Sequence, residues 1–267
     1  MAKITFVYPH NTKSVTVTGP HCALNCAHCG GHYLKSMVSV EKIPNLKEVQ
    51  SLLISGGCTV DGKVPWLKHA EFLADQKGNL KYNFHVGLIE DEREIDLLAK
   101  IADTVSFDFV VDDETIADVY HLKKIGEDYL TTYRKLNAKV PVLPHITIGL
   151  LGGEVKGEFA AIKALEEFNP PAIVFIIFRP TPNTQYADRK PPELEKVLEV
   201  FNFTRSTFPN TPLYLGCMRP GGKYREEVDI NALTLGFARI VQPHPAAVKK
   251  ARELGFEILE AGECCVL

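Results

Sequence analysis

No apolar run in the chain approaches the length needed to cross a bilayer, which removes a helical membrane span. A surplus of charge is missing too: 30 Lys and Arg stand against 33 Asp and Glu, for a formal net charge of −3. Binding nucleic acid through its phosphates needs a basic surplus or stripe, so that class of partner is not expected. No Ser/Gly linker or shift in composition divides the 267 residues, and no short-period repeat is present. The opening MAKITFVYPHNTKS has too short an apolar stretch for a signal peptide and no small-residue cleavage site behind it. A cytoplasmic protein without a membrane partner is the expectation. The final CCVL places a Cys where a prenylation box has one, but the preceding EILEAGE is not a basic run.

Short β-rich stretches are plentiful and regularly spaced. Eight candidates fall at 14–19, 51–56, 81–87, 105–111, 146–151, 172–178, 212–216 and 238–242, each rich in Val, Ile, Phe or Tyr. Amphipathic segments at 65–76, 91–102, 157–168, 192–204 and 244–255 carry apolar residues at three-to-four spacing. Asp91 with Glu94 makes a capping-box-like start, and Gly255 closes the last segment. Alternation of this kind predicts an α/β fold, a (β/α)8 TIM-type barrel over 1–256, with a doubly wound open sheet as its rival. Residues 257–267 read as a C-terminal tail closing over the barrel mouth.

Seven cysteines are present, an odd number, and in a reducing compartment clustered thiols point to metal or catalysis more than to disulfides. Cys22, Cys26 and Cys29 share one loop after the first predicted strand, in a C-x3-C-x2-C spacing. Three thiolates so placed suit three corners of a cubane iron–sulfur cluster and leave its fourth iron open. A structural zinc knuckle completed by His21, His28 or His32 is the bland alternative, though no second C-x2-C accompanies it. Ser55-Gly56-Gly57-Cys58 follows the second predicted strand, Arg179-Pro180-Thr181 the sixth, and Cys217-Met218-Arg219 the seventh. In a barrel these strand ends share one mouth.

On these residues the chain resembles the radical S-adenosylmethionine (SAM) superfamily. The resemblance implies that Cys22, Cys26 and Cys29 ligate a [4Fe–4S] cluster whose open iron chelates the amino and carboxylate groups of SAM. His28 takes the place of an aromatic residue beside the adenine. Ser55, Gly56 and Gly57 resemble the stretch whose backbone holds the methionyl amino group, with Cys58 where an acid is usual. One electron from the cluster would then release a 5′-deoxyadenosyl radical from SAM, with the protein supplying orientation and a dry cavity.

Gly216-Cys217-Met218-Arg219-Pro220, the stretch from Ile148 and Gly149 to Glu154, and Arg179 to Thr184 resemble the biotin synthase-like group within that superfamily. Gly149 and Arg179 are thereby candidates to border the cofactor, and Arg219 to stand near an auxiliary cluster or pair with Glu226 or Glu227. Cys29 to Leu34, Ser55 to Cys58 and Leu215 to Arg219 are most similar to the two-component lipoyl synthases. That likeness implies sulfur insertion into a protein-bound octanoyl chain, with an auxiliary [4Fe–4S] cluster as the sulfur donor. Cys58, Cys217 and one or both of Cys264 and Cys265 are its expected ligands. The implied partners are a homologous second subunit, an octanoylated carrier (an H protein or a lipoyl domain) and an electron donor such as ferredoxin. A biotin synthase-like or other radical enzyme with a different substrate, using one cluster only, is the alternative. His85, His145, Asp108 and Asp112 fall at strand ends, where they either face cofactor or substrate or are satisfied in the core.

Overall fold

A computed structural model describes residues 2–267. Its eleven strands form one all-parallel sheet: β1 (Lys3–Val7), β2 (Thr12–Thr16), β3 (Val38–Ser39), β4 (Ser51–Ser55), β5 (Lys81–Phe84), β6 (Thr104–Asp108), β7 (Val142–Ile148), β8 (Ile173–Ile177), β9 (Leu213–Leu215), β10 (Arg239–Val241) and β11 (Glu257–Ala261). The order is β11-β1-β10-β9-β8-β7-β6-β5-β4-β2-β3. β1 and β2 are thus eight places apart, which in a flat sheet is about 38 Å at strand spacing. Only Tyr8 to Asn11 joins them, a link that reaches about 18 Å when fully extended. The sheet must therefore curl until its ends meet. β1 and β2 become the lower and upper halves of one stave, giving eight staves in a partial barrel.

The eight strands read from the sequence are those eight staves. The first was read only from its upper half: β1 was missed, as were the edge strands β3 and β11. Strand faces explain the apolar runs. Leu52, Ile54, Phe84, Val105, Ile146, Phe175 and Leu213 point outward into the main core, under the surrounding helices. Those helices are α1 (Ala70–Lys77), α2 (Glu92–Ile101), α3 (Asp113–Tyr120), α4 (Gly126–Asn137), α5 (Glu158–Ala164), α6 (Leu194–Thr207), α7 (Gly222–Thr234) and α8 (Pro245–Glu253). Asp91 caps α2 as expected, accepting from the Arg93 and Glu94 amides. Asp112, a site candidate from the sequence, turns out to cap α3: its carboxylate accepts from the Thr115 amide and hydroxyl. α3, α4 and α7 were not read from the sequence.

The tail lies at the other end of the barrel from the one expected. Residues 257–261 are not tail but strand β11, paired with β1 from Lys3↔Glu257 to Val7↔Ala261. β11 thus ends level with the starts of β2, β4 and β5. Gly262 to Leu267 cross beneath them: Cys264 N–H donates to Thr12 Oγ1, Lys81 pairs with Glu263, and Arg239 holds the carbonyls of Cys265 and Leu267. The tail closes the floor rather than the mouth.

Candidate functional site

The loop carrying Cys22, Cys26 and Cys29 rises from the top of β2 and is held from three sides. Ala23 N–H donates to Cys58 O (2.8 Å), Ala27 N–H to Val119 O in α3 (2.8 Å), and Tyr186 N–H to Ala27 O (3.0 Å). Gly57 explains how the loop sits so low. A Cβ at that position would overlap the His21 carbonyl oxygen and lie 2.6 Å from Cys22 Cα, so only glycine lets the two turns touch. The Gly57 amide donates to Thr18 Oγ1 at 2.7 Å. Thr18 was not singled out from the sequence, because its partner is 39 residues away.

The thiols interact with one another. Cys26 donates to the Cys29 sulfur, which holds Cys29 down at about 4 and drives Cys26 up; His28 also lowers Cys29. The His28 ring meets Tyr120 edge-on with centroids 5.8 Å apart, and its buried Nδ1 has no partner. Among the described residues no three His, Cys, Asp or Glu side chains converge on a point that would hold one ion. A zinc knuckle therefore gains no support. Three soft donors on one loop, beside an orphaned imidazole nitrogen, fit a polynuclear cluster, whose ligands stand apart.

Cys58 was grouped from the sequence with Cys217 and the tail, but the structure places it elsewhere. Burial pushes its thiol up to about 12, and the neighbouring groups that add to this are Cys22, Asp108 and Cys29. It belongs with the first loop because the Gly56-Gly57 turn lies directly on that loop. The second group is Cys217, Cys264 and Cys265. Cys217 is exposed as a residue, yet protein packs closely enough round its sulfur to desolvate the thiolate, and that desolvation, followed by Cys264, raises its thiol. Cys265 donates to Cys264, which lowers Cys264 to about 7 and raises Cys265. Asn83 Nδ2 stands 3.7 Å from Cys264 Sγ. Cys265 itself packs with Val7, Leu143, Ala172, Val174 and Val241, an apolar layer at the floor of the lumen.

Arg219 and Gly149 are committed elsewhere, whereas Ser55 and Arg179 are open. Arg219 is 1 % exposed and makes a two-pronged pair with Asp229 (2.7 and 2.9 Å), plus a bond to Val241 O (2.8 Å). Neither Glu226 nor Glu227 is its partner; it pins the Cys217 turn to β10. Gly149 sits at φ +74 with its amide given to Glu158 Oε1 at 2.6 Å. Ser55, at the top of β4, lines a cavity of about 390 Å³ with Ser14, Leu53, Tyr33, Met37 and Met218. Arg179 is exposed after β8 and has no ion-pair partner among the described residues. Tyr33 OH bonds Thr181 Oγ1 at 2.8 Å, tying the cysteine loop to that strand end.

No protein-family model matches the chain, and no curated protein matches it. Solved structures do. The FeFe-hydrogenase maturase HydG from Carboxydothermus hydrogenoformans aligns with TM-score 0.69 at 14% identity, over 96% of this chain and 67% of that one. Methylornithine synthase (PylB) aligns with TM-score 0.64 at 13% identity, over 96% and 83%. Coproporphyrinogen III oxidase (HemN) from Escherichia coli, a radical SAM enzyme, aligns with TM-score 0.50 at 11% identity, over 78% of this chain and 53% of that one. At such identities the likeness is one of fold alone: the chain shares with these enzymes a curled, all-parallel α/β half-barrel. An HMG-CoA lyase from Brucella melitensis also aligns, with TM-score 0.56 at 10% identity over 97% and 93%, so the architecture alone does not choose the chemistry. No helix among the described residues is long and apolar enough to cross a membrane.

Proposed function

We propose that the chain is a radical SAM enzyme inserting sulfur into unactivated C–H bonds, as one component of a lipoyl synthase acting on a protein-bound octanoyl chain. The observation carrying this reading is the division of seven thiols into two groups around one lumen. Cys22, Cys26 and Cys29 would hold the [4Fe–4S] cluster that binds SAM. Cys217, Cys264 and Cys265 would hold an auxiliary cluster that gives up its sulfur. When bound, the first cluster and SAM supply a carbon-centred radical able to take hydrogen from an aliphatic carbon. The chain's own residues position and seclude that chemistry. Gly57 sets the depth of the cysteine loop, His28 and Tyr120 flank it, and the tail shuts the floor against water.

The cavity that Met37, Leu53 and Met218 line together with Thr12, Lys13, Ser14, Tyr33, Ser36 and Ser55 is the proposed entry for the carrier-borne chain, the three apolar side chains being the part that would meet its methylenes. A homologous second subunit, an octanoylated H protein or lipoyl domain, and a ferredoxin-like electron donor are part of the proposal. A single-cluster radical enzyme with a different substrate is the second reading, favoured by the burial of Cys265 in its apolar layer. The test is formation of 5′-deoxyadenosine from SAM with dithionite, followed by sulfur incorporation into an octanoyl-lysyl peptide. Deoxyadenosine without thiolated peptide selects the second reading; no deoxyadenosine from a loaded cluster overturns both.

A further inference from the structure

Three arginines gather where β8, β9 and α7 meet at the mouth, and only one of them has an acidic partner. Ile177, the last residue of β8, donates its amide to Met218 O at 2.9 Å, so Arg179 and the Cys217 turn leave from neighbouring staves. Arg219 ends that turn, and Arg225 lies in the first turn of α7. Asp229, one helical turn past Arg225, is its natural partner. Both oxygens of Asp229 are already taken. Oδ1 accepts from Arg219 Nε (2.7 Å), and Oδ2 accepts from Arg219 Nη2 (2.9 Å) and the His244 amide (2.7 Å).

Arg225 is left without a countercharge. Its Nε and Nη2, which together make one edge of the guanidinium fork, are shut off from solvent and have no hydrogen-bond partner among the described residues. No carboxylate there lies within ion-pair distance of Arg225 or Arg179; Asp229 is held by Arg219, and Glu227 faces Lys223 at 3.6 Å. Polar groups out of water are nearly always paired, and an unpaired cation is the costlier case. The surroundings add to that cost. Burial, then Arg219 and Arg179, hold the Arg225 guanidinium below its usual range, against the pull of Asp229 and Cys217. The first turn of a helix disfavours a cation, and that of α7 contains no acid and has no side-chain cap. An anion with two oxygens in one plane is the complement of such an edge.

We infer that Arg225, with Arg179 beside it, forms a recognition site for an oxoanion, the carboxylate or phosphate group of a ligand entering at the mouth. Arg225 is half-buried rather than sealed, so a rotation of its side chain presents the unpaired edge to the ligand for two parallel bonds. Arg179, exposed after β8, supplies the second charge. Arg219 is a positioning residue: by occupying Asp229 it keeps Arg225 free. The inference goes beyond the reaction proposed above and does not depend on it, since an octanoyl amide carries no anion. Carboxylate and phosphate offer the same pair of oxygens, and the order of their affinities tells them apart.

The experiment is calorimetric titration of the anaerobically reconstituted protein, without SAM or reductant, so that failure of the proposed reaction leaves the result interpretable. Inorganic phosphate, acetate and chloride are the probes, at constant ionic strength. The expected result is binding of phosphate or acetate at least tenfold tighter than of chloride, with the preference falling below threefold in Arg225→Gln. Arg134→Gln, at an exposed arginine paired with Glu167, should leave the preference unchanged. Phosphate ahead of acetate assigns the site to a phosphorylated ligand, and the reverse order to a carboxylate. Arg225→Gln removes an unbalanced charge, so its urea midpoint should not fall below that of the wild type; Arg179→Gln, at an exposed position, repeats the test with an expected loss of at least threefold. Equal affinities of the wild-type protein for the three anions would overturn the inference without any variant. So would a preference that survives both substitutions, or one abolished by saturating SAM, which would give the arginines to the cofactor. Iron content that falls in Arg225→Gln would give them to the auxiliary cluster and overturn it as well.

Discussion

The two thiol groups differ less in chemistry than in how the chain assembles them. The upper group comes from one loop of eight residues, Cys22 to Cys29, with Cys58 added by a turn that touches it. The lower group joins a strand-end cysteine to a tail nearly fifty residues later, and exists only because β11 pairs beside β1. A local group survives most changes elsewhere in the barrel, whereas a non-local one depends on every contact that seats the tail and the Cys217 turn.

The largest expected effect strikes the lower group. Arg219→Ala leaves Asp229 buried without its guanidinium and frees the Cys217 turn. It should cost roughly 3–5 kcal/mol in urea unfolding, as breaking one partner of a buried pair does. A loss below about 1 kcal/mol would show that the turn is held by something else. Gly57→Ala attacks the upper group instead. Its Cβ cannot coexist with His21 O and Cys22 Cα, so the loop must lift, at roughly 1–3 kcal/mol. Iron bound by the upper cysteines should fall while alkylation of Cys264 stays unchanged.

Between the groups, His85 and His145 make a smaller, pH-dependent contribution. Their imidazoles stay neutral to about pH 4 in the folded chain, against 6.5 when unfolded. Between those values the unfolded chain binds more protons, so stability falls as pH drops from 6.5 toward 4 and does not change above 6.5 on their account. Each should contribute roughly 1 kcal/mol, since both face a lumen rather than dry core. His145→Gln should flatten this slope in urea titrations of the apoprotein, and an unaltered slope would contradict the assignment. The smallest effect is expected from Arg239→Ala. It releases the Cys265 and Leu267 carbonyls for roughly 1 kcal/mol, yet it should speed thiol modification at Cys264 several-fold.

The same contrast governs how much the sequence revealed. The staves were legible because strands covered on both faces read as apolar runs, and the upper cysteines because their spacing is local. β1 was missed because its two halves of one stave separate at Tyr8 to Asn11, and β11 because EILEA is exposed on an edge and lacks the apolar run. Cys58 was misgrouped because only the touching of two turns through Gly57 shows its neighbours. Arg219 found Asp229 rather than Glu226 or Glu227 because it is Asp229, in the third turn of α7, that lies beside the end of β10, one turn beyond those two glutamates. Asp108 and His145 could be seen only as separate strand-end residues until the β6–β7 register paired them.

The most direct test of two groups around one lumen is iron and acid-labile sulfide per chain after anaerobic reconstitution. It compares the wild type with the combined Cys22→Ala/Cys26→Ala/Cys29→Ala variant. Two cubane clusters predict about 8 iron in the wild type, with about half retained by the variant. About 4 iron in the wild type, lost entirely in the variant, would leave the lower thiols without a cluster and contradict sulfur insertion by this chain.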